Sequence, residues 1–77
     1  MSTLIFYTTE GCHLCVFAEQ MLAEIQRNRE CAIDFIDISS DESLVDLYGI
    51  RIPVVKNKET SIEIAWPFQL EDLLELV

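Results

Sequence analysis

Basic residues are scarce in this chain. Five Lys and Arg stand against fourteen Asp and Glu, for a formal net charge of −9. Nucleic-acid binding rests on cations that neutralise phosphates, and anionic membrane surfaces attract polybasic segments. No nucleic-acid or membrane partner is therefore expected. Long apolar runs are missing too, since no stretch approaches the roughly 20 residues that span a bilayer. The apolar start, Leu4 to Tyr7, lacks the basic flank and the length of a secretory signal, so a cytoplasmic location is expected. Glycine and proline number two each in a chain that is 51% hydrophobic, which excludes a disordered or low-complexity segment. Three cysteines are an odd number and a poor framework for structural disulfides. In the cytoplasm such thiols stay reduced unless they cycle in a reaction. No Gly-rich phosphate loop, catalytic triad or metal-spaced ligand cluster is present, and no metal site is expected.

What is present is a series of short periodic segments. At 77 residues the chain is one domain spanning 1–77, and a domain this small buries only about 60% of its unfolded surface. Leu4-Ile5-Phe6-Tyr7 reads as a strand buried on both faces. From Cys12 the period becomes helical, with Leu14, Ala18, Met21, Leu22 and Ile25 on one face and the helix fading across Arg27-Asn28-Arg29. Ile33, Phe35, Ile36 and Ile38 form a second strand, less buried because Asp34 and Asp37 interrupt it. Ser39 with Glu42 has capping-box spacing before a helix carrying Leu44, Leu47 and Tyr48, which Gly49 would end in a left-handed cap. A third strand is expected over 50–55 with Pro53 at its entrance. Asn57-Lys58-Glu59-Thr60 suits a hairpin turn into a fourth strand, with Ile62 and Ile64 on one side of it. Leu70, Leu73, Leu74 and Val77 make a last helical stripe. Two βα units followed by a hairpin and a helix imply an α/β fold with a mixed sheet and helices on its faces.

Cys12-His13-Leu14-Cys15 is a CxxC that follows a strand and loop and opens a helix. The first turn of a helix offers unpaired N–H groups and the positive end of the macrodipole. A thiolate there is stabilised, and lowering a free thiol from about 8.5 to about 7 needs only roughly 2 kcal/mol. Cys15 lies one turn inward, within reach of Cys12. The arrangement makes Cys12 the nucleophile that attacks a disulfide and Cys15 the thiol that resolves the mixed disulfide. Zinc is the competing use of such a pair, but structural zinc takes four ligands, and only His13 and Cys31 remain. The c-type haem signature fails because Val16, not His, follows Cys15. Two other readings stay open: a non-catalytic binding module on the same scaffold, and metal or iron–sulfur binding through Cys12.

The segment Tyr7-Thr8-Thr9-Glu10-Gly11-Cys12-His13-Leu14-Cys15, with Ile52-Pro53-Val54 about forty residues on, resembles the thioredoxin superfamily and glutaredoxins most closely. Within it the chain is similar to small bacterial glutaredoxin-like proteins, which Trp66-Pro67-Phe68 also resembles. The resemblance implies a thioredoxin-like β-α-β-α-β-β-α fold, a central mixed four-stranded sheet flanked by three helices. It implies that Pro53 is cis and packs beside the sulfurs, and that Ile52 presents backbone N–H and C=O groups to an extended substrate. It points to a disulfide-containing protein or small thiol as substrate. Three departures bear on glutathione. His13 and Leu14 replace the usual Pro and aromatic inside the CxxC, Thr9 stands where a basic residue is common, and no Gly-Gly precedes the last helix. No glutathione-binding residues are carried over, no resident cofactor is expected, and the chain is expected to be a monomer.

Several side chains have a plain structural role as their first expectation. His13 is a solvated spacer that would favour the Cys12 thiolate only when protonated. Cys31 is a small buried hydrophobe ahead of a strand, and Arg51 an ordinary surface charge. Trp66 and Phe68 pack under the last helix, whose Glu71, Asp72 and Glu75 form its solvated face.

Overall fold

Strand β1, Ser2–Thr8, follows from the apolar run, and its alternate side chains supply both faces of a sheet. The computed structural model describes residues 2–77. Along the chain β1 is followed by α1 (His13–Asn28), β2 (Cys31–Asp37), a 3-10 turn (Ile38–Ser40), α2 (Glu42–Tyr48), β3 (Val54–Asn57), β4 (Glu63–Ala65) and α3 (Leu70–Leu76). The sheet order is β2-β1-β3-β4. β1 and β2 are parallel, and β3 runs antiparallel to both β1 and β4. The expected mixed four-stranded sheet flanked by three helices is present.

The two faces carry separate cores. Leu4, Phe6 and Val55 pack with Cys15, Ala18, Leu22 and Ile25 of α1 and with Phe68, Leu73 and Leu76. On the other face Tyr7 and Val54 pack with Ile38 and Tyr48. Burying one such side chain is worth about 1.5–3 kcal/mol, so the first cluster dominates the stability of a domain this size.

Several local expectations are corrected. Cys15, not Leu14, heads the buried stripe of α1, and Leu14 is 43% exposed; the stripe 15-18-22-25 leaves Leu14 on its margin. The Ser39–Glu42 box does not form. Residues 38–40 make the 3-10 turn, capped by the Asp37 side chain on the Ser39 N–H, and Asp41 caps α2 through the Ser43 N–H at 2.9 Å. Gly49 is right-handed, with φ −51°, and its N–H continues the helical pattern to the Val45 carbonyl. The third strand starts at Val54 rather than Ile50. Arg51 and Ile52 both turn their N–H groups back to the Tyr48 carbonyl, at 2.8 and 3.0 Å, which keeps them out of the ladder. Leu47 lies on the solvent side of α2, and Ile62 sits in the turn before β4, so both are exposed. Cys31 opens β2 and is only half-buried because β2 is an edge strand.

The β3–β4 turn is built around Asn57. Its Oδ1 accepts the N–H groups of Glu59 and Thr60, at 2.9 and 3.2 Å, while its Nδ2 donates to the Leu76 carbonyl at 2.6 Å. One buried amide thus ties the hairpin to the end of α3.

Candidate redox site

β1 delivers the chain to a short loop whose Gly11 has φ +79°, a conformation that glycine adopts at no steric cost. Cys12 then takes the N-cap of α1 with an extended backbone, and its Sγ accepts the Cys15 N–H at 3.2 Å. Cys12 and Cys15 are joined as a disulfide, with Cα atoms 5.3 Å apart. Cys12 is partly exposed, whereas Cys15 is 3% exposed and belongs to the core. The exposed sulfur thus sits at the positive end of a 16-residue helix. After reduction the N–H groups of the first turn favour its thiolate over its thiol.

A shallow cleft of about 300 Å³ opens over the pair, between Thr8, Thr9 and Gly11 on the loop and His13, Val16 and Glu19 on the helix. A larger cleft of about 490 Å³ lies at the other pole, between the Asn57–Ile62 turn and α3. It holds no cysteine or histidine, so the reactive chemistry belongs to the smaller cleft. Among the described residues no group of three or more His, Cys, Asp or Glu is placed to hold a metal ion. Burial raises the Cys31 thiol above the ordinary value, which disfavours its thiolate.

The other two residues singled out in the sequence lie at the same end of the sheet. Tyr7 pairs with Val54 across the antiparallel β1–β3 ladder, so Pro53 stands beside the end of β1 that feeds the Cys12 loop. Pro53 is buried and its peptide bond to Ile52 is cis, as is Trp66–Pro67. Ile52 packs on both cores. Its N–H, expected to face a substrate, is instead donated to Tyr48, because the chain leaves α2 through a helical turn.

Periodicity gave no sign of the contacts that hold this corner. The Tyr48 hydroxyl donates to Glu63 Oε2 at 2.9 Å, and Arg51 Nη2 donates to Glu63 Oε1 at 3.3 Å. The Arg51 guanidinium lies 5.7 Å from the centre of the Tyr48 ring, which itself stacks on Tyr7 at 4.3 Å. Arg51 is therefore a partner of Glu63 and not a free surface charge. Trp66 donates its backbone N–H to the Pro53 carbonyl at 3.0 Å and its ring lies 6.5 Å from that of Phe17.

The family model for the glutaredoxin-like domain (DUF836) matches residues 3–77. The chain belongs to this family. Among solved structures, the glutaredoxin-like chain is 33% identical to the X. campestris protein XcR50, covering 91% of this chain and 88% of that one at a TM-score of 0.79. It is 30% identical to Ne2328 of Nitrosomonas europaea, covering 96% and 87% at a TM-score of 0.81. A mutant thioredoxin of Halobacterium salinarum, at 18% identity and a TM-score of 0.74 over 99% and 71%, shares the fold. No curated protein matches the chain. Family, thioredoxin-like fold and the Cys12–Cys15 disulfide together make this a site of redox type.

Proposed function

We propose that this glutaredoxin-like chain is a thiol–disulfide oxidoreductase acting on disulfides of proteins or small thiols. The observation that carries the reading is the pairing of a partly exposed Cys12 sulfur at a helix tip with a buried Cys15 sulfur bonded to it. In the reduced chain the Cys12 thiolate attacks one sulfur of a substrate disulfide, and the other leaves as a thiolate. Cys15, after losing its proton to solvent, attacks Cys12 Sγ and displaces the second substrate sulfur. The substrate gains two electrons, the Cys12–Cys15 disulfide forms, and an external dithiol restores the starting state. Ile52 offers its carbonyl to an extended substrate, and Pro53, buried beside it, holds that segment in place. The chemistry needs no resident cofactor or metal, and the chain acts as a monomer in the cytoplasm.

The deciding experiment equilibrates the protein in graded dithiol buffers and measures the reduced fraction of Cys12 and Cys15. A single reversible two-electron transition is expected, with turnover of a model disulfide that Cys12→Ser abolishes. A pair that does not cycle would leave a non-catalytic binding module, and turnover that survives Cys12→Ser would refute Cys12 as the nucleophile.

A further inference from the structure

Among the described residues, Glu19 is the one carboxylate that lines the cleft over the two sulfurs. Cys12, Cys15, Val16 and Glu19 follow one another at helical spacing, so a single stripe of α1 runs from the N-cap sulfur to this carboxylate. A helical side chain leans toward the N-terminus of its helix, which brings the Glu19 carboxylate back toward the sulfurs. Glu19 is exposed, and the ion pairs among the described residues, Arg27–Glu24 and Arg51–Glu63, leave it unpaired.

No Lys or Arg offsets this charge. Among the described residues none of them lines the cleft. Arg27 and Arg29 lie at the far end of α1, and Arg51 is held by Glu63. Lys56 and Lys58 lie beside Ile5 and Thr3, toward the start of β1 and away from the Cys12 loop. Glu10 lies in that loop, and Asp37 pairs with Thr8 at its base, so the surroundings are anionic as well. One helical turn, about 5.4 Å, separates Glu19 from Cys15. That is inside the roughly 8 Å over which exposed charges act at physiological ionic strength.

We propose that Glu19 determines charge specificity at this site, which favours disulfides with an ammonium or guanidinium group beside their sulfurs over those with a carboxylate there. This rests on the oxidoreductase reading above. Glu19 takes no part in the bond exchange: Cys12 Sγ bonds to one substrate sulfur and the other leaves as a thiolate. Its charge acts through space on the group that flanks the disulfide.

The test uses the full chain, reduced, at about pH 8, where an ordinary imidazole is neutral. Three small disulfides of different charge are assayed: cystamine (cationic), hydroxyethyl disulfide (uncharged) and dithiodiglycolate (anionic). Each kcat/KM is divided by the rate of the same disulfide with dithiothreitol, which removes its intrinsic reactivity. At about 0.01 M ionic strength cystamine is expected to exceed dithiodiglycolate about tenfold, with hydroxyethyl disulfide between them. The preference is expected to fade at about 1 M, where screening shortens the reach of a charge to roughly 3 Å. Glu19→Gln is expected to lower the preference at least about threefold. Glu75→Gln removes the same charge from the cleft at the opposite pole and is expected to leave the preference unchanged. No preference in the native chain, or equal effects of the two variants, overturns the proposal. A second measurement does not depend on turnover. In the Cys15→Ser chain, Cys12 displaces methanesulfinate from alkyl methanethiosulfonates and keeps the alkylthio group. Peptide mapping over time then gives its rates with a cationic and an anionic reagent. Glu19→Gln in that chain is expected to lower the ratio of the two rates at least about threefold. An unchanged ratio overturns the assignment of Glu19 whatever the turnover, whereas a lowered ratio without turnover of any disulfide overturns the oxidoreductase reading alone.

Discussion

The Tyr48 hydroxyl reaches across fifteen residues of sequence to Glu63, at 2.9 Å. It joins the end of α2 to the edge strand β4 and so closes the corner that holds Ile52 and Pro53. Burial, followed by the bond to Glu63, pushes the Tyr48 hydroxyl well above the ordinary tyrosine value of 10.0. The fold thus favours the neutral phenol. The resulting stability is fully present below about pH 10 and is lost as the pH climbs toward the folded-state value. Tyr48→Phe is expected to cost about 1 kcal/mol at neutral pH and to flatten the alkaline decline, as measured by urea unfolding at a series of pH values.

Trapping separates the roles of the two cysteines. Cys15→Ser leaves the attacking sulfur but no resolving one, so the variant is expected to accumulate a mixed disulfide with a model substrate. Cys12→Ser leaves the sulfur that is 3% exposed and is expected to trap nothing. Intact mass before and after reduction reads both outcomes, and equal trapping by the two variants would refute the assignment.

Alkylation ranks the thiols of the reduced protein. Cys12 lies at a helix N-terminus with the Cys15 N–H on its sulfur, whereas burial raises the Cys31 thiol. Iodoacetamide near neutral pH is expected to modify Cys12 at least about tenfold faster than Cys31, because the thiolate is the reactive form. Peptide mapping over time checks the order.

Gly11 tests the loop before the CxxC. A Cβ added there meets nothing within 4 Å, while φ is +79°, so only backbone conformation opposes a side chain. Gly11→Ala is expected to destabilise the fold by about 1–2 kcal/mol, and Gly11→Asn by less, since Asn tolerates this region. Equal losses for the two would mean that contacts rather than conformation set the cost.

Asn57→Ala removes three hydrogen bonds and strands the Leu76 carbonyl. A loss of about 2–4 kcal/mol is expected, read as a lower urea midpoint with an unchanged slope. Cys12 reactivity should persist, because Asn57 belongs to the opposite pole.

Periodicity and punctuation carried much of this domain. The apolar run of β1, the helical spacing after Cys12 and the leucine stripe of α3 were legible because each depends on near neighbours and on which face meets a core. The boundaries that failed are those where two local signals competed. Ser39, Asp41 and Asp37 are all competent caps, and the 3-10 turn determined which of them served. Ile50 has the apolar character of a strand residue, yet the turn following α2 leaves it fully exposed at 102%. Leu14 fits the helical stripe as well as Cys15 does, and only the direction from which the sheet approaches chose between them.

The sequence by itself determined the redox pair, since Cys12 and Cys15 are three residues apart and a helix start is a local event. Tertiary structure alone decided how the neighbouring corner is held. Glu63 meets Tyr48 and Arg51, and Trp66 meets Pro53 and Phe17, because β3 and β4 fold back beside β1. Such contacts are set by strand order and register, which bring together segments whose distance along the chain leaves no periodic trace.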